Sequence, residues 1–243
     1  MTDPAFESIQ NWEEFQDYVR ENNRYYLTAR WSHFVAALAA TSKKRVKILK
    51  KNTQVTRARI GSLSGSHNGK NKFSTQPLPY REMLCPPKDI AIEGRLNPKG
   101  IPYLYLANNK QTAVAEVRPW VGAMVSVASF RIVKDQRLID LTQDFPKKKS
   151  PGGRSVENRI WSQINESFSE PMSPDGRGPH YVPTQYLTEI FKANGFDGVR
   201  YKSSLSPSGH NYLLFNTKAV KYQSIFVFRV DGVRFHFHRA GKK

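Results

Sequence analysis

The residue with the most chemical content is Glu116, set in Ala113-Val114-Ala115-Glu116-Val117 among apolar neighbours. A carboxylate buried in such surroundings is rare without partners. Facing a cation that develops during reaction, it stabilises the transition state more than the ground state. Glycosidases set carboxylates against oxocarbenium charge in this way. The plainer reading is an exposed Glu on an amphipathic helix, paired with Arg118. Guanidinium groups, which grip phosphate in bidentate fashion, are offered by Arg59, with Arg57 two residues before it, and by Arg95. Arg95 follows a glycine and precedes Asn97-Pro98, which suits a tight loop that lets a ligand approach the backbone, although the plainer reading is a surface arginine in a turn. Tyr105, in the apolar run Tyr103-Leu104-Tyr105-Leu106-Ala107, offers a ring to stack on and a hydroxyl, or is a core tyrosine. Ser203 or Ser204 could donate to an amide or sugar, and Asn211 is a ligand contact or a strand cap.

Several chemistries are excluded. No histidine or acid is tied by spacing to Ser203 or Ser204, so a nucleophilic triad is not indicated. The polar run Gly61–Ser74 has glycines but lacks the Gly-Lys-Ser/Thr ending of a phosphate loop. No Rossmann glycine fingerprint opens a helix. His236 and His238 alternate with no cysteine pair nearby, and the single cysteine, Cys85, forms no internal disulfide, which suits a reducing cytoplasm.

The elements that must carry these residues read as a mixture of helices and strands without a regular βαβ repeat, hence an α+β fold. Residues 3–21 read as a helix capped by Asp3, with Ile9, Trp12, Phe15 and Val19 on one face, and 24–40 as a second. A basic stretch follows, Lys43 to Lys51, either a solvated helix face or an anion-binding edge. Residues 1–52 thus form an N-terminal helical appendage to a main domain over 53–243. In that domain the pattern gives strands at 55–60, 101–106, 125–132, 137–141, 198–201 and 212–216. Helices are expected from 112, over 154–168 and over 184–194, with loops at 61–74, 77–87, 145–153 and 171–179. Asp231-Gly232 between Ser224–Val230 and Val233–Phe237 predicts a C-terminal β-hairpin.

The 243 residues suffice for one large domain or one with a small addition; 39% are hydrophobic and 24% charged, as in a folded soluble protein. No apolar run is long enough for a membrane span, and the acidic start is unlike a secretory signal, so the expected location is the cytoplasm. The net charge is +18, although the N-terminal stretch is acidic: Asp3, Glu7, Glu13, Glu14, Asp17 and Glu21 face only Arg20. Such a surface attracts nucleic acid, phosphorylated ligands or an acidic protein.

Four segments in order carry a resemblance: Thr56-Arg57-Ala58-Arg59-Ile60; Gly94-Arg95-Leu96-Asn97-Pro98-Lys99-Gly100 with Tyr103 to Ala107; Thr112 to Pro119 around Glu116; and Gly195 to Ser204, closing with Asn211 to Asn216. Together they resemble the RES domain, over about two thirds of the chain. The resemblance implies a fold similar to ADP-ribosyltransferases, with NAD⁺ as substrate rather than cofactor; no metal is expected, because Cys/His ligand spacing is missing. It implies a toxin of a bacterial toxin–antitoxin pair, restrained by an antitoxin with a helix-turn-helix domain. By the same resemblance Arg57, Arg59 and Arg95 bind the phosphates, Tyr105 stacks on nicotinamide, Glu116 steadies the ribose cation, and Ser203 with Asn211 orients the ligand. Hydrolysis, phosphorolysis and ADP-ribosyl transfer to a protein or nucleic acid remain alternatives, as does a non-catalytic nucleic-acid-binding module. The chain departs from short members of the family by its N-terminal appendage, by an insertion between Arg59 and Gly94, and by its C-terminal hairpin.

Overall fold

In the computed structural model, residues 4–66, 73–143, 155–171 and 181–234 are described. Eight strands form one mixed sheet in the order β1-β7-β8-β9-β5-β2-β6-β10. These are β1 (Val46–Leu49), β2 (Gln54–Ile60), β5 (Leu104–Ala107), β6 (Met124–Ile132), β7 (Gln136–Leu141), β8 (Gly198–Lys202), β9 (His210–Leu214) and β10 (Val220–Arg229). All pairings are antiparallel except β7 with β8. A separate hairpin pairs β3 (Leu63–Ser66) with β4 (Phe73–Gln76). The polar loop expected over 61–74 is therefore in part a ribbon, missed because its strands carry little apolar alternation.

Alternation along the strands divides the apolar residues between the two faces of the sheet. Ile139, Leu141, Val199 and Leu213 face the helices α1 (Asn11–Glu21), α2 (Ala29–Ser42), α4 (Val156–Ser169) and α5 (Val182–Ala193). Leu138, Leu104, Leu106, Tyr212 and Leu214 lie on the other face, with Val55, Phe130 and Met83. The short helix α3 (Lys110–Glu116) covers a third cluster at Ala58, Ala107, Val125 and Val127.

The N-terminal stretch ahead of β2 supplies α1, α2 and the edge strand β1. Trp12, Phe15, Trp31 and Phe34 share a cluster with Trp161 and Phe191 of α4 and α5. Helix α1 begins at Asn11, not at Asp3: the Asn11 side chain accepts from the backbone N–H groups of Glu7 and Ser8 and sets the start there. Helix α2 begins at Ala29, after the exposed Tyr25 and Tyr26, and most of the basic stretch from Lys43 forms a 3₁₀ turn and β1. At the other end, the strand expected at 224–230 lies in β10, which pairs with β6. Most of its anticipated hairpin partner, from 235 on, lies outside the described residues, as do the expected loops at 145–153 and most of 171–179. Among the described residues no helix is long and apolar enough to cross a membrane.

Candidate active site

The site opens where the large sheet fails to close. β2 pairs with β6 along its whole length, but with β5 at one position only, Thr56 with Ala107. Past that position the strands diverge, and a cleft of about 260 Å³ lies between them, bounded by α3, β8 and β9. Arg57 leaves β2 on the face away from α3 and turns into this gap, where its Nη1 donates to the Tyr105 carbonyl at 3.4 Å. It thereby occupies ground that a strand-to-strand hydrogen bond would otherwise hold. Burial pushes the Arg57 guanidinium below its ordinary pKa; nearby Cys85 opposes the shift and Arg59 adds to it.

Helix α3 places the acid. Asn109 caps it, its Oδ1 accepting from the Thr112 N–H at 2.8 Å. Ala113 packs on Ala58 and Ala107, small side chains that let helix and sheet approach closely. Glu116 ends the helix, where the macrodipole disfavours a carboxylate. It is held there by two donors on the same oxygen: Ser203 Oγ lies 2.6 Å and Asn211 Nδ2 2.7 Å from Glu116 Oε1. Hydrogen bonds to an ionised group are the strong kind. Glu116 is exposed, at the rim of the cleft and not buried in the apolar setting its sequence neighbours suggest.

The loop carrying Ser203 is seated on the same helix. The Ser203 N–H donates to the Gly209 carbonyl at 3.0 Å, and Thr112 Oγ1 donates to Ser206 Oγ at 3.2 Å. A Cβ on Gly209 would lie 2.4 Å from Thr112 Oγ1, so only glycine allows this contact. Asn211 is buried in β9, opposite Ala107 of β5 and Tyr201 of β8. Ser203, and not Ser204, makes the bond to the acid.

Two aromatic rings complete the wall. Tyr105 lines the cleft, while Tyr103 is packed against Phe215 and Lys192. The Tyr105 hydroxyl does not address a ligand: it donates to Asn97 Oδ1 at 2.8 Å and accepts from the Leu96 N–H at 3.3 Å. Tyr201 also lines the cleft. Burial raises the pKa of both phenols, most of all for Tyr201, where the Tyr105 and Glu116 charges add to it and Arg95 opposes. Both are therefore neutral at neutral pH.

Two of the guanidinium groups picked out in the sequence do not line the cleft. Arg59 shares a strand face with Arg57, but two residues further on its Nη1 reaches the Glu82 carbonyl. Arg95 Nη1 donates to the Phe168 carbonyl at 2.5 Å, next to the end of α4, where carbonyls lack helical partners. Arg95 is thus turned to α4 and is absent from the cleft lining, though its charge is close enough to oppose in part the rise of both phenol pKa values. The cleft brings together Arg57, Tyr105, Glu116 and Asn211, with Ser203 bonded to the acid. Sequence reasoning missed Tyr201; the signal available was its place two residues after Val199, on the same face of β8. Thr56 and Ala58, also in the lining, carried no signal of their own.

A second polar group lies on the opposite face of β7, β8 and β9. Arg200 Nη1 is 3.0 Å from Asp140 Oδ2, and its Nη2 is 3.0 Å from His210 Nε2. Among the described residues, no group of three or more His, Cys, Asp or Glu side chains is placed to hold a metal ion.

Residues 66–238 match the RES domain, which is most of the chain. The chain belongs to the RES-domain family. The match begins after β2, so Arg57, Arg59 and the two N-terminal helices precede it. Among solved structures, the chain is similar to one in the M. tuberculosis MbcT–MbcA toxin–antitoxin complex. The two share 14% identity over 79% of this chain and 92% of that one, with a TM-score of 0.45. No curated protein sequence matches the chain. Within the RES domain, the motif around Glu116 and the closing stretch through Asn211 are the segments that meet at the acid.

Proposed function

We propose that this RES-domain protein consumes NAD⁺ by breaking the bond between nicotinamide and ribose. The observation that carries the reading is the Glu116 carboxylate, fixed by Ser203 and Asn211 at the rim of a cleft whose other walls are aromatic and cationic. The bond breaks with its electron pair passing to the nicotinamide nitrogen, which becomes neutral and needs no proton. Positive charge grows instead on the ribose C1′ and ring oxygen. Two donors hold Oε1 of Glu116, a ribose hydroxyl would donate to Oε2, and the carboxylate would offset the growing charge. Water then attacks C1′ and gives its proton to solvent; phosphate in its place would yield the 1-phosphate. The neutral phenols of Tyr105 and Tyr201 suit an apolar wall for the nicotinamide. At about 260 Å³ the cleft lies just below the ~300–1,000 Å³ typical of ligand sites, so it suits the nicotinamide riboside half. The pyrophosphate would extend past Arg57.

Family membership supports a toxin that acts by depleting NAD⁺ in the cytoplasm, restrained by an antitoxin with a helix-turn-helix domain. The exposure of Glu116 favours transfer of ADP-ribose to a macromolecule as the second reading, and the net charge of +18 would draw a polyanionic target. Incubation with NAD⁺ labelled on its adenylate half decides between them: free ADP-ribose or its 1-phosphate means degradation, and label on protein or nucleic acid means transfer. Persistence of intact NAD⁺ with the wild type, or equal consumption by Glu116→Gln, overturns both.

A further inference from the structure

The Gly94–Pro98 loop is held from behind by the first turn of α5, through bonds that never touch the cleft. Gln185 is buried, and its Nε2 donates to the Gly94 carbonyl at 2.8 Å and the Asn97 carbonyl at 3.2 Å. Beside it, Thr184 Oγ1 donates to the Arg95 carbonyl at 2.7 Å. The loop closes on itself through Gly94 N–H to the Asn97 carbonyl at 2.9 Å. The buried Asn97 amide spends its Nδ2 on the Ile92 and Pro98 carbonyls, at 3.0 and 3.2 Å, which fixes the orientation of its Oδ1. That oxygen takes the Tyr105 hydroxyl proton. A Cβ on Gly94 would sit 2.6 Å from Asn97 Oδ1 and 3.1 Å from the Tyr105 hydroxyl, so the loop accepts only glycine there.

We infer that Gln185 and Asn97 are positioning residues, which fix the Tyr105 ring as the nicotinamide-binding wall and withhold its hydroxyl from the ligand. The inference rests on the NAD⁺ reading given above. Tyr105 then acts through its ring face alone. Its contribution is to binding that ground state and transition state share, and loosening it raises KM with kcat little changed. Gln185 lies outside the segments that carry the sequence motif, yet it is the outermost link of the chain of bonds that ends at the ring.

The test is kinetic and spectroscopic. Gln185→Leu keeps the volume and removes both donated bonds; KM for NAD⁺ is expected to rise roughly ten-fold, since small misplacements at a site cost this much or more, with kcat within about two-fold. Asn97→Asp keeps an acceptor for the Tyr105 hydroxyl and is expected to retain a lower KM than Asn97→Leu. Tyr105→Phe removes the tethered hydroxyl, so adding it to Gln185→Leu is expected to cost little more than Gln185→Leu alone. Thermal melts of each variant separate a shifted ring from a lost fold. Ring signals of Tyr105 in tyrosine-labelled protein give a readout free of NAD⁺ and are expected to broaden or shift in Gln185→Leu. Unchanged KM, a fall in kcat alone, or unchanged ring signals in folded Gln185→Leu overturns the inference. If wild-type protein leaves NAD⁺ intact, the functional reading fails, and the ring signals still decide whether Gln185 positions Tyr105.

Discussion

Asn211 Nδ2 lies 2.7 Å from Glu116 Oε1, joining the middle of the sheet to the last residue of α3. Ser203 Oγ reaches the same oxygen from the β8–β9 loop at 2.6 Å. Three separate segments therefore fix one carboxylate. Glu116→Gln keeps the shape and removes the charge. A fall in kcat of about 10²–10³ is expected, the usual cost of losing one electrostatic stabiliser. Asn211→Ala and Ser203→Ala are expected to cost about 10–100-fold each, the equivalent of a lost hydrogen bond to a charged group at ~1.5–3 kcal/mol. Rates of NAD⁺ loss with the purified variants check both statements.

Arg57 and Arg59 make a matched pair for comparison, since they share a strand face and differ in what they reach. Arg57→Ala is expected to raise KM for NAD⁺ by about 10–100-fold, the loss of a charge-assisted contact worth ~1.5–3 kcal/mol. Arg59→Ala is expected to change KM less than Arg57→Ala does. Equal effects on KM would place the anion contact elsewhere than in the cleft.

Trp161 tests how far the N-terminal helices belong to the main body. It is fully buried, its Nε1 donates to Thr41 Oγ1 of α2 at 3.1 Å, and the Arg45 guanidinium lies 4.6 Å over its ring. Trp161→Ala is expected to cost ~3–5 kcal/mol in denaturant unfolding. Deleting the chain through Ser42, the end of α2, would uncover Trp161 and is expected to give a lower Tm and aggregation. A truncated chain that melts as the full chain does would show α1 and α2 to be a separable appendage.

His210 gives a pH dependence of stability. Burial and the neighbouring Arg200 hold its pKa below the ordinary value, while Asp140 pulls the other way. The folded protein therefore prefers the neutral ring, whose Nε2 accepts from Arg200. The unfolded chain binds the proton more readily, so this stabilisation is present above the unfolded pKa of about 6.5. It is lost as pH falls from there through the lower folded value. His210→Gln is expected to flatten the decline of Tm below about pH 6.5 relative to wild type, measured by thermal melts across that range.

Much of the fold was legible because its signals are local. The helical spacing of Trp12, Phe15 and Val19, and of Ile160, Trp161 and Ile164, marks the buried faces of α1 and α4. The apolar runs mark the inner strands. The hairpin of β3 and β4 escaped because its pairing is set by a partner strand, and its own residues are mostly small and polar. At the site, residue types pointed to Glu116, Ser203 and Asn211, whose mutual distances no spacing could give. Arg57 could not be preferred over Arg59 from sequence, because the choice depends on the divergence of β2 from β5. The roles of Asn97 and Gln185 were hidden for the same reason: 88 residues separate a donor from its acceptor.

The parting of β2 from β5 leaves backbone donors and acceptors at a seam where a sheet would ordinarily be stitched shut. A variant selected only for heat resistance could gain by continuing that ladder beyond Thr56 and Ala107, each new bond adding ~0.5–1.5 kcal/mol. Such a protein would be sturdier and would have no cleft between these strands, so tolerance of incomplete pairing is the condition for having a site here at all.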